Sequence, residues 1–210
     1  LYRGLDGPLG ADVPTAIDAL GTAAQVRAAA VTSTVSYPSG DFSAALKNLA
    51  TILKSEVGLQ VATVDVGGWD THTDEANQLD SLLASAAGSL RAFMDDLGPD
   101  RRQRVTVAVM TEFGRRVAQN ASGGADHGHG GVMWLMGGGL ARSGVFGKWT
   151  QLTTSVLDNG DVPGLNSPFD VLGELVQKRL GVGSLSTVFP NYTISPLGVL
   201  QLRSVPFGFS

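Results

Sequence analysis

LQVATVDV, residues 59–66, is a short run rich in β-branched residues that ends at a Gly-Gly pair. Two further runs have the same character, VTVAVM at residues 105–110 and VMWLM at residues 132–136. Short apolar runs bounded by turn residues are typical of buried strands, and near-continuous apolar strands are typical of parallel sheets. The three runs therefore predict strands of one sheet.

A helical pattern separates the first two of these runs. Between residues 79 and 97, leucine, alanine, phenylalanine and methionine recur on one face of a helix, and Gly98-Pro99 ends the pattern. A strand, a helix and a strand in this order predict a right-handed βαβ unit with parallel strands.

Three more helices are predicted. Residues 42–57 form an amphipathic pattern, and weaker periodicity suggests one helix near residues 13–30. Near the other end, Ser167 and Pro168 are typical of a helix start and Gly181 of a helix end. We therefore expect an α/β fold in which a largely parallel sheet is flanked by helices, and we expect residues 1–210 to form a single domain.

The composition excludes several classes of function. The chain has 210 residues, no cysteine and a formal net charge of -4. Without cysteine there is no disulfide framework, thiolate nucleophile or iron–sulfur cluster, so any metal must be held by nitrogen and oxygen ligands. The acidic balance and the lack of a basic run argue against a nucleic-acid partner. The longest uncharged tract, residues 180–202, is broken by prolines and therefore predicts no membrane span.

Two glycine-flanked motifs contain every histidine of the chain. GGWDTH at residues 67–72 contains His72, and GGADHGHGG at residues 123–131 contains His127 and His129. Imidazole and carboxylate groups on such loops are suited to a divalent metal, and zinc or manganese is more natural than copper with these ligands. The simpler alternative is a solvated glycine loop with incidental histidines.

Spacing within the motifs favours metal ligation. Asp70 and His72 lie two residues apart, so on an extended segment both project from the same side. His127 and His129 repeat this spacing, with Asp126 beside them. All five are candidate ligands. Because the second motif precedes its strand, it reaches the same edge of the sheet only if residues 123–131 fold back.

A third cluster, TEFGRR at residues 111–116, directly follows the second predicted strand. In open α/β sheets ligands bind beyond the carboxyl ends of the strands, so Glu112 is a further candidate metal ligand. Arg115 and Arg116 are candidate clamps for the oxygens of a phosphate or sulfate. The alternative is an exposed turn carboxylate followed by a solvated helix start.

The order of these motifs, followed by GGG and VFGKW, is similar to that of the bacterial domain-of-unknown-function family fifteen-oh-one. That family is grouped with the alkaline phosphatase and sulfatase superfamily, and the resemblance covers roughly residues 42–197. It implies an alkaline-phosphatase-like sandwich with a site for two divalent ions. Asp70 and His72 resemble the first part of one metal set, which one of His127 and His129 would complete. Glu112 resembles the position where the superfamily usually shows an Asp-His pair, and Asp126 fits either ion.

The resemblance implies a metal-dependent hydrolase of small anionic phosphate or sulfate esters, working in the periplasm or outside the cell. The GGADG-like turn and RSHFD-like stretch that open its relatives do not occur here. The chain therefore resembles a C-terminal half or processed fragment, with the nucleophile supplied by an N-terminal segment or a separate chain. The alternative is a non-catalytic metal-binding or scaffold domain that binds metal without turnover.

Overall fold

The structure is a computed structural model, and it describes residues 8–29 and 31–202. Within these residues the α-helices are α1 (Pro8–Ala28), α2 (Asp41–Lys54), α3 (Glu75–Arg104) and α4 (Pro168–Leu180), followed by a 3-10 turn at Leu185–Thr187. The strands are short: β1 (Thr106–Val109), β2 (Gly114–Arg115), β3 (His127–Gly128) and β4 (Trp134–Gly137).

The chain divides into two compact units. The first comprises the described part of Leu1–Val66 together with Ser85–Gly98, and the second comprises Gly67–Ala84 and the described part of Pro99–Ser210. Helix α3 contributes residues to both. Both histidine motifs and the TEFGRR cluster belong to the second unit.

The first unit is held by the apolar faces of α2 and the middle of α3. Leu46 of α2 is buried, as are Leu90 and Phe93 of α3. Two buried hydroxyl groups join the same helices, since Ser43 Oγ and Ser89 Oγ lie 2.8 Å apart. The amphipathic pattern at residues 42–57 therefore predicted α2 correctly, although the helix ends at Lys54, three residues before the predicted end.

Glycine and proline set the helix ends much as the sequence predicts. Gly98 has φ 70° and interrupts α3, after which a short helical stretch continues to Arg104. The side chain of Ser167 accepts a hydrogen bond from the Phe169 backbone N–H, and Gly181 ends α4 in the left-handed conformation. The helix predicted near residues 13–30 is α1, and its expected last residue, Ala30, lies outside the described residues.

The predicted parallel sheet is wrong. Strands β1 and β4 pair antiparallel, with Thr106 opposite Gly137 and Val109 opposite Trp134, and β2 and β3 form a second antiparallel pair. No large parallel sheet is present in the part of the chain that the structure describes. Parallel neighbours need a crossover connection, usually a helix, whereas the chain between β1 and β4 contains β2, β3 and glycine-rich loops. The expected α/β fold, with the alkaline-phosphatase-like sandwich that the resemblance implies, is therefore corrected to helices with two small antiparallel sheets.

The predicted βαβ unit fails for a second reason. Residues 59–66 belong to no strand, and their side chains are mostly exposed, Val61 at 62%. A β-branched run has side chains that fit the surface of a sheet, but a strand also requires a hydrogen-bonding neighbour. The structure shows no such neighbour for this run among the described residues.

The expectation of no membrane span agrees with the structure. None of the helices in the described ranges combines the length and the apolar character needed to cross a bilayer.

Candidate metal centre

Three ligand atoms from two loops converge in the second unit. Asp70 Oδ1 lies 2.7 Å from His72 Nε2 and 2.6 Å from His127 Nε2, and the two Nε2 atoms lie 3.0 Å apart. Within the described residues these side chains are the one group of three or more with the spacing of metal ligands. The arrangement unites GGWDTH with GGADHGHGG in a single cluster.

The triangle of ligand atoms is slightly smaller than the one around a bound divalent ion. With ligands at about 2.1 Å, two such atoms lie about 3.4 Å apart in the tetrahedral geometry of zinc and about 3 Å apart at the right angles of an octahedral site. The three edges of 2.6, 2.7 and 3.0 Å are at or below these values, so the three atoms would move apart by less than about 1 Å on binding an ion. The residues present are therefore suited to bind zinc or manganese on one face of the ion.

Asp126 orients one of the histidines. Its Oδ1 lies 3.1 Å from His72 Nδ1, and because a carboxylate only accepts, Nδ1 carries the proton. In the neutral ring Nε2 then presents its lone pair to Asp70 Oδ1. Two acceptors at 2.7 Å repel each other unless a proton or a cation lies between them. A metal-binding histidine commonly donates its other N–H to a carboxylate in this way.

Hydrogen bonds lower the pKa of both aspartates. For Asp70 the main cause is the hydrogen bond with His127, which desolvation opposes and the charges of His72, His127 and Arg115 assist. For Asp126 the hydrogen bonds with Asn120 and His72 lower the pKa most. Both groups are therefore carboxylates at neutral pH, the form in which they bind cations.

Backbone pairing brings the two motifs together. Asp74 N–H donates to Ser122 O at 3.1 Å, and Ala125 N–H donates to Thr71 O at 3.4 Å. Gly124 lies between them, where an added Cβ would overlap the backbone carbonyl of His72. The second motif thus folds back onto the first, as the convergence of their side chains requires. Glycine is needed at position 124 because the backbones of the two motifs approach closely there.

The two predicted anion clamps are engaged with protein oxygens. Arg115 Nη1 donates to Ala125 O at 2.6 Å, and its Nη2 donates to Trp69 O. Arg116 Nη2 donates to Asn159 O at 2.9 Å. Neither contact tests an anion-binding role, which stays a prediction for both residues.

The remaining predicted ligands do not join the triangle. His129 Nδ1 lies 2.7 Å from Asp158 Oδ2, so this histidine pairs with a different loop although it is two residues from His127. Glu112 is exposed and lies outside the converging group. Asp126 contacts His72 through the nitrogen that faces away from the triangle. Their assignment as ligands of either ion stays a prediction.

Sequence reasoning missed three residues around the cluster. The ring of Phe113 stacks on His127 with centroids 3.9 Å apart, and Asp158 pairs with His129. Asn120 Nδ2 donates to His72 O at 2.8 Å and to Asp126 Oδ1 at 2.9 Å. An asparagine just before a Ser-Gly-Gly turn is a recognisable signal for a loop-stabilising side chain, but nothing local indicates its partners.

Comparison with known families agrees with the motif order. The model of the family described as "Protein of unknown function (DUF1501)" matches residues 2–182. This chain belongs to that family. No curated protein and no solved structure matches the chain significantly. Membership in DUF1501 confirms the family resemblance.

Proposed function

We propose that this DUF1501 protein is a metal-dependent hydrolase of phosphate or sulfate esters, with Asp70, His72 and His127 as ligands of a zinc or manganese ion. The observation that carries the proposal is the convergence of Asp70 Oδ1, His72 Nε2 and His127 Nε2 within 3.0 Å of one another. Asp126 accepts from Nδ1 of His72, as the carboxylate partner of a metal-binding histidine commonly does. A doubly protonated imidazole or a bound cation satisfies the contact between Asp70 and His72, and the measurement of bound metal distinguishes them.

Exposure of the ligands favours a reactive role over a purely structural one. The side chains of Asp70, His72 and His127 are 67%, 37% and 44% exposed. Structural zinc sites are closed by four protein ligands, whereas catalytic sites use three and keep a position open. A small anionic ester can therefore reach an ion held by these residues. Such an ion would act as a Lewis acid toward the ester oxygens.

The proposal is for one ion at this cluster. The resemblance implies two, but Glu112, Asp126 and His129 do not form a second converging group among the described residues. Placement in the alkaline phosphatase and sulfatase superfamily remains part of the proposal and depends on motif order and ligand chemistry. Work in the periplasm or outside the cell is proposed from the resemblance alone.

The nucleophile distinguishes two versions of the function. Thr71, the hydroxyl between the two ligands of the first motif, is buried, and its Oγ1 lies 3.5 Å from Arg115 Nη2. A hydroxyl in this position does not face an incoming ester. The hydrolase proposal therefore takes its nucleophile from an N-terminal segment or separate chain, as the resemblance implies. The burial of Thr71 also favours the alternative, a metal-binding domain without turnover.

The histidine pair supplies a matched test. The protein and its His127→Ala and His129→Ala variants are loaded with Zn²⁺ or Mn²⁺, desalted and measured by elemental mass spectrometry. We expect about one equivalent in the wild type and in His129→Ala, and a large loss in His127→Ala. Equal metal in the two variants, or none in the wild type, would overturn the proposed site.

Turnover is measured separately. The loaded wild type is assayed with p-nitrophenyl phosphate and p-nitrophenyl sulfate, with His127→Ala as the control. Hydrolysis that depends on His127 supports the hydrolase. Metal binding without hydrolysis, also when an N-terminal segment of a DUF1501 relative is added, would support the non-catalytic alternative.

A further inference from the structure

We infer that Arg115 and Asn120 are positioning residues that hold two ligand loops, residues 69–72 and 125–127, in the arrangement that the ion requires. The inference rests on the proposed metal site and adds a role for side chains that do not themselves bind the ion. Together they join the backbone that carries Asp70 and His72 to the backbone that carries His127.

Arg115 bridges the loops with one planar group. Its Nη1 donates to Ala125 O at 2.6 Å on the second loop, and its Nη2 donates to Trp69 O on the first. The side chain is largely shielded, at 25% exposure. Because the guanidinium donors have a fixed fork geometry, the two carbonyls are held at a set separation. Lysine, a single point charge on a flexible stem, cannot reproduce both bonds.

Asn120 makes the complementary connection and uses both ends of its amide. Nδ2 donates to His72 O on the first loop and to Asp126 Oδ1 on the second, at 2.8 and 2.9 Å. Oδ1 accepts from Ser122 N–H at 2.9 Å and from Gly124 N–H at 3.0 Å. An aspartate has the same shape but no donor, so it would lose both bonds that join the loops.

An electrostatic role and a positioning role predict opposite changes in metal affinity when Arg115 or Asn120 is substituted. The Arg115 guanidinium lies 3.9 Å from Asp70 Oδ1, so its charge alone disfavours a cation nearby. If charge dominated, Arg115→Met would tighten metal binding, and Asn120→Asp, which adds a negative charge, would also tighten it. If the bonds to the loops dominate, both substitutions weaken binding, as loss of a supporting hydrogen bond commonly does by about 10–100-fold.

The test is a titration of the full chain with Co²⁺, whose visible absorption reports both affinity and coordination geometry. We expect Arg115→Met and Asn120→Asp each to weaken Co²⁺ binding by about 10–100-fold and to change the absorption bands. Arg115→Lys, which can keep one of the two bonds, should give an intermediate affinity.

Matched control variants distinguish effects that are specific to the ligand loops from general effects of losing an arginine or asparagine side chain. Arg142 Nη2 also donates to a backbone carbonyl, that of Leu197, and Asn166 also joins a loop by donating to Lys148 O and accepting from Lys148 N–H. Neither contacts the ligand loops, so Arg142→Met and Asn166→Asp should bind Co²⁺ like the wild type. Circular dichroism identifies any variant that does not fold, and Asn120→Asp carries the test if the Arg115 variants fail in that way.

The outcomes distinguish this inference from the function on which it rests. Unchanged or tighter Co²⁺ binding in Arg115→Met and Asn120→Asp would overturn the positioning role and leave the metal site standing. Equal losses in the controls would overturn it too, because the effect would not be specific to the ligand loops. No Co²⁺ binding by the wild type would overturn the proposed function itself.

Discussion

Two carboxylates of the second unit, Glu174 and Asp70, have opposite surroundings. Glu174 is 0% exposed and accepts from Lys178 Nζ at 2.7 Å, from Leu200 N–H at 2.9 Å and from Gly198 N–H at 3.0 Å. Asp70 is exposed, and the groups that face it are two imidazole nitrogens, His72 Nε2 and His127 Nε2, which are also of the kind that binds metals. A buried carboxylate matched by donors completes a fold, whereas an exposed carboxylate beside two imidazole nitrogens is suited to a cation.

The lowered pKa of Glu174 agrees with a structural role in the fold. Burial alone raises the pKa of this carboxyl, but the hydrogen bond from Lys178, the backbone hydrogen bonds and the Lys178 charge outweigh it, so the net pKa is lowered. The ionised form is thus stabilised inside the unit, where it joins α4 to the segment around Leu200.

The largest effect is expected from Glu174→Ala. The substitution leaves the Lys178 ammonium and two backbone N–H groups without an acceptor, and we expect the free energy of unfolding to fall by about 3 kcal/mol. Urea unfolding of the metal-free protein measures it. The control is the exposed Glu112→Ala, expected to change stability by less than about 0.5 kcal/mol. Similar values for the two variants would contradict the structural role of Glu174.

Metal addition should stabilise the folded protein through the site that contains Asp70. A ligand that binds only the folded state at 100 times its Kd adds about 2.7 kcal/mol to the free energy of unfolding. We therefore expect Zn²⁺ or Mn²⁺ to raise the wild-type urea midpoint and a chelator to reverse the change. Glu174→Gln should keep this response and His127→Ala should lose it. A full response in His127→Ala would show that the metal acts elsewhere.

A side chain at Gly124 should disturb the joint between the ligand loops. The added methyl group of Gly124→Ala would overlap the backbone of His72 and Thr71, and overpacking of this kind costs about 1–3 kcal/mol. The free energy of unfolding and the metal affinity should both fall. Gly183→Ala is the control, since an added Cβ there meets nothing within 4 Å. If Gly124→Ala bound the metal with wild-type affinity, the metal site would not require the close approach of the two loops at this position.

Acid should remove the contribution of Glu174 to the free energy of unfolding. Its pKa is lowered in the folded state, so its stabilisation is complete above the ordinary glutamate pKa of about 4.3. It is lost as the pH falls through the lower folded pKa. Glu174→Gln should therefore flatten the decline of the free energy of unfolding in acid, measured from urea midpoints at a series of pH values. An identical decline in the variant would show that other groups control it.

Local patterns predicted the helices well and the sheet badly. The ends of α4 depend on Ser167 and Gly181, whose preferences act within one turn. Residues 59–66 have the composition of a strand, yet they remain unpaired, and β1 pairs with β4 antiparallel. Pairing depends on residues far away in the chain, which composition and periodicity do not identify.

The candidate site shows the same division. Its ligand types and the spacing of Asp70 and His72 are visible in the sequence, as is the likeness to DUF1501, which the family match confirms. The sequence also left open whether His127 or His129 completes the set. The structure places His127 in the triangle and His129 beside Asp158.

The sequence by itself therefore determined the family, the helices and the chemical character of the candidate ligands, because these depend on residue type and short spacing. Tertiary structure decided which histidine meets Asp70 and that Arg115 and Asn120 connect the two ligand loops. These features depend on hydrogen bonds such as those from Arg115 to Trp69 and from Asn120 to His72, whose partners lie more than 40 positions apart. The energies of such bonds depend on distance and direction in space, which only the folded chain specifies.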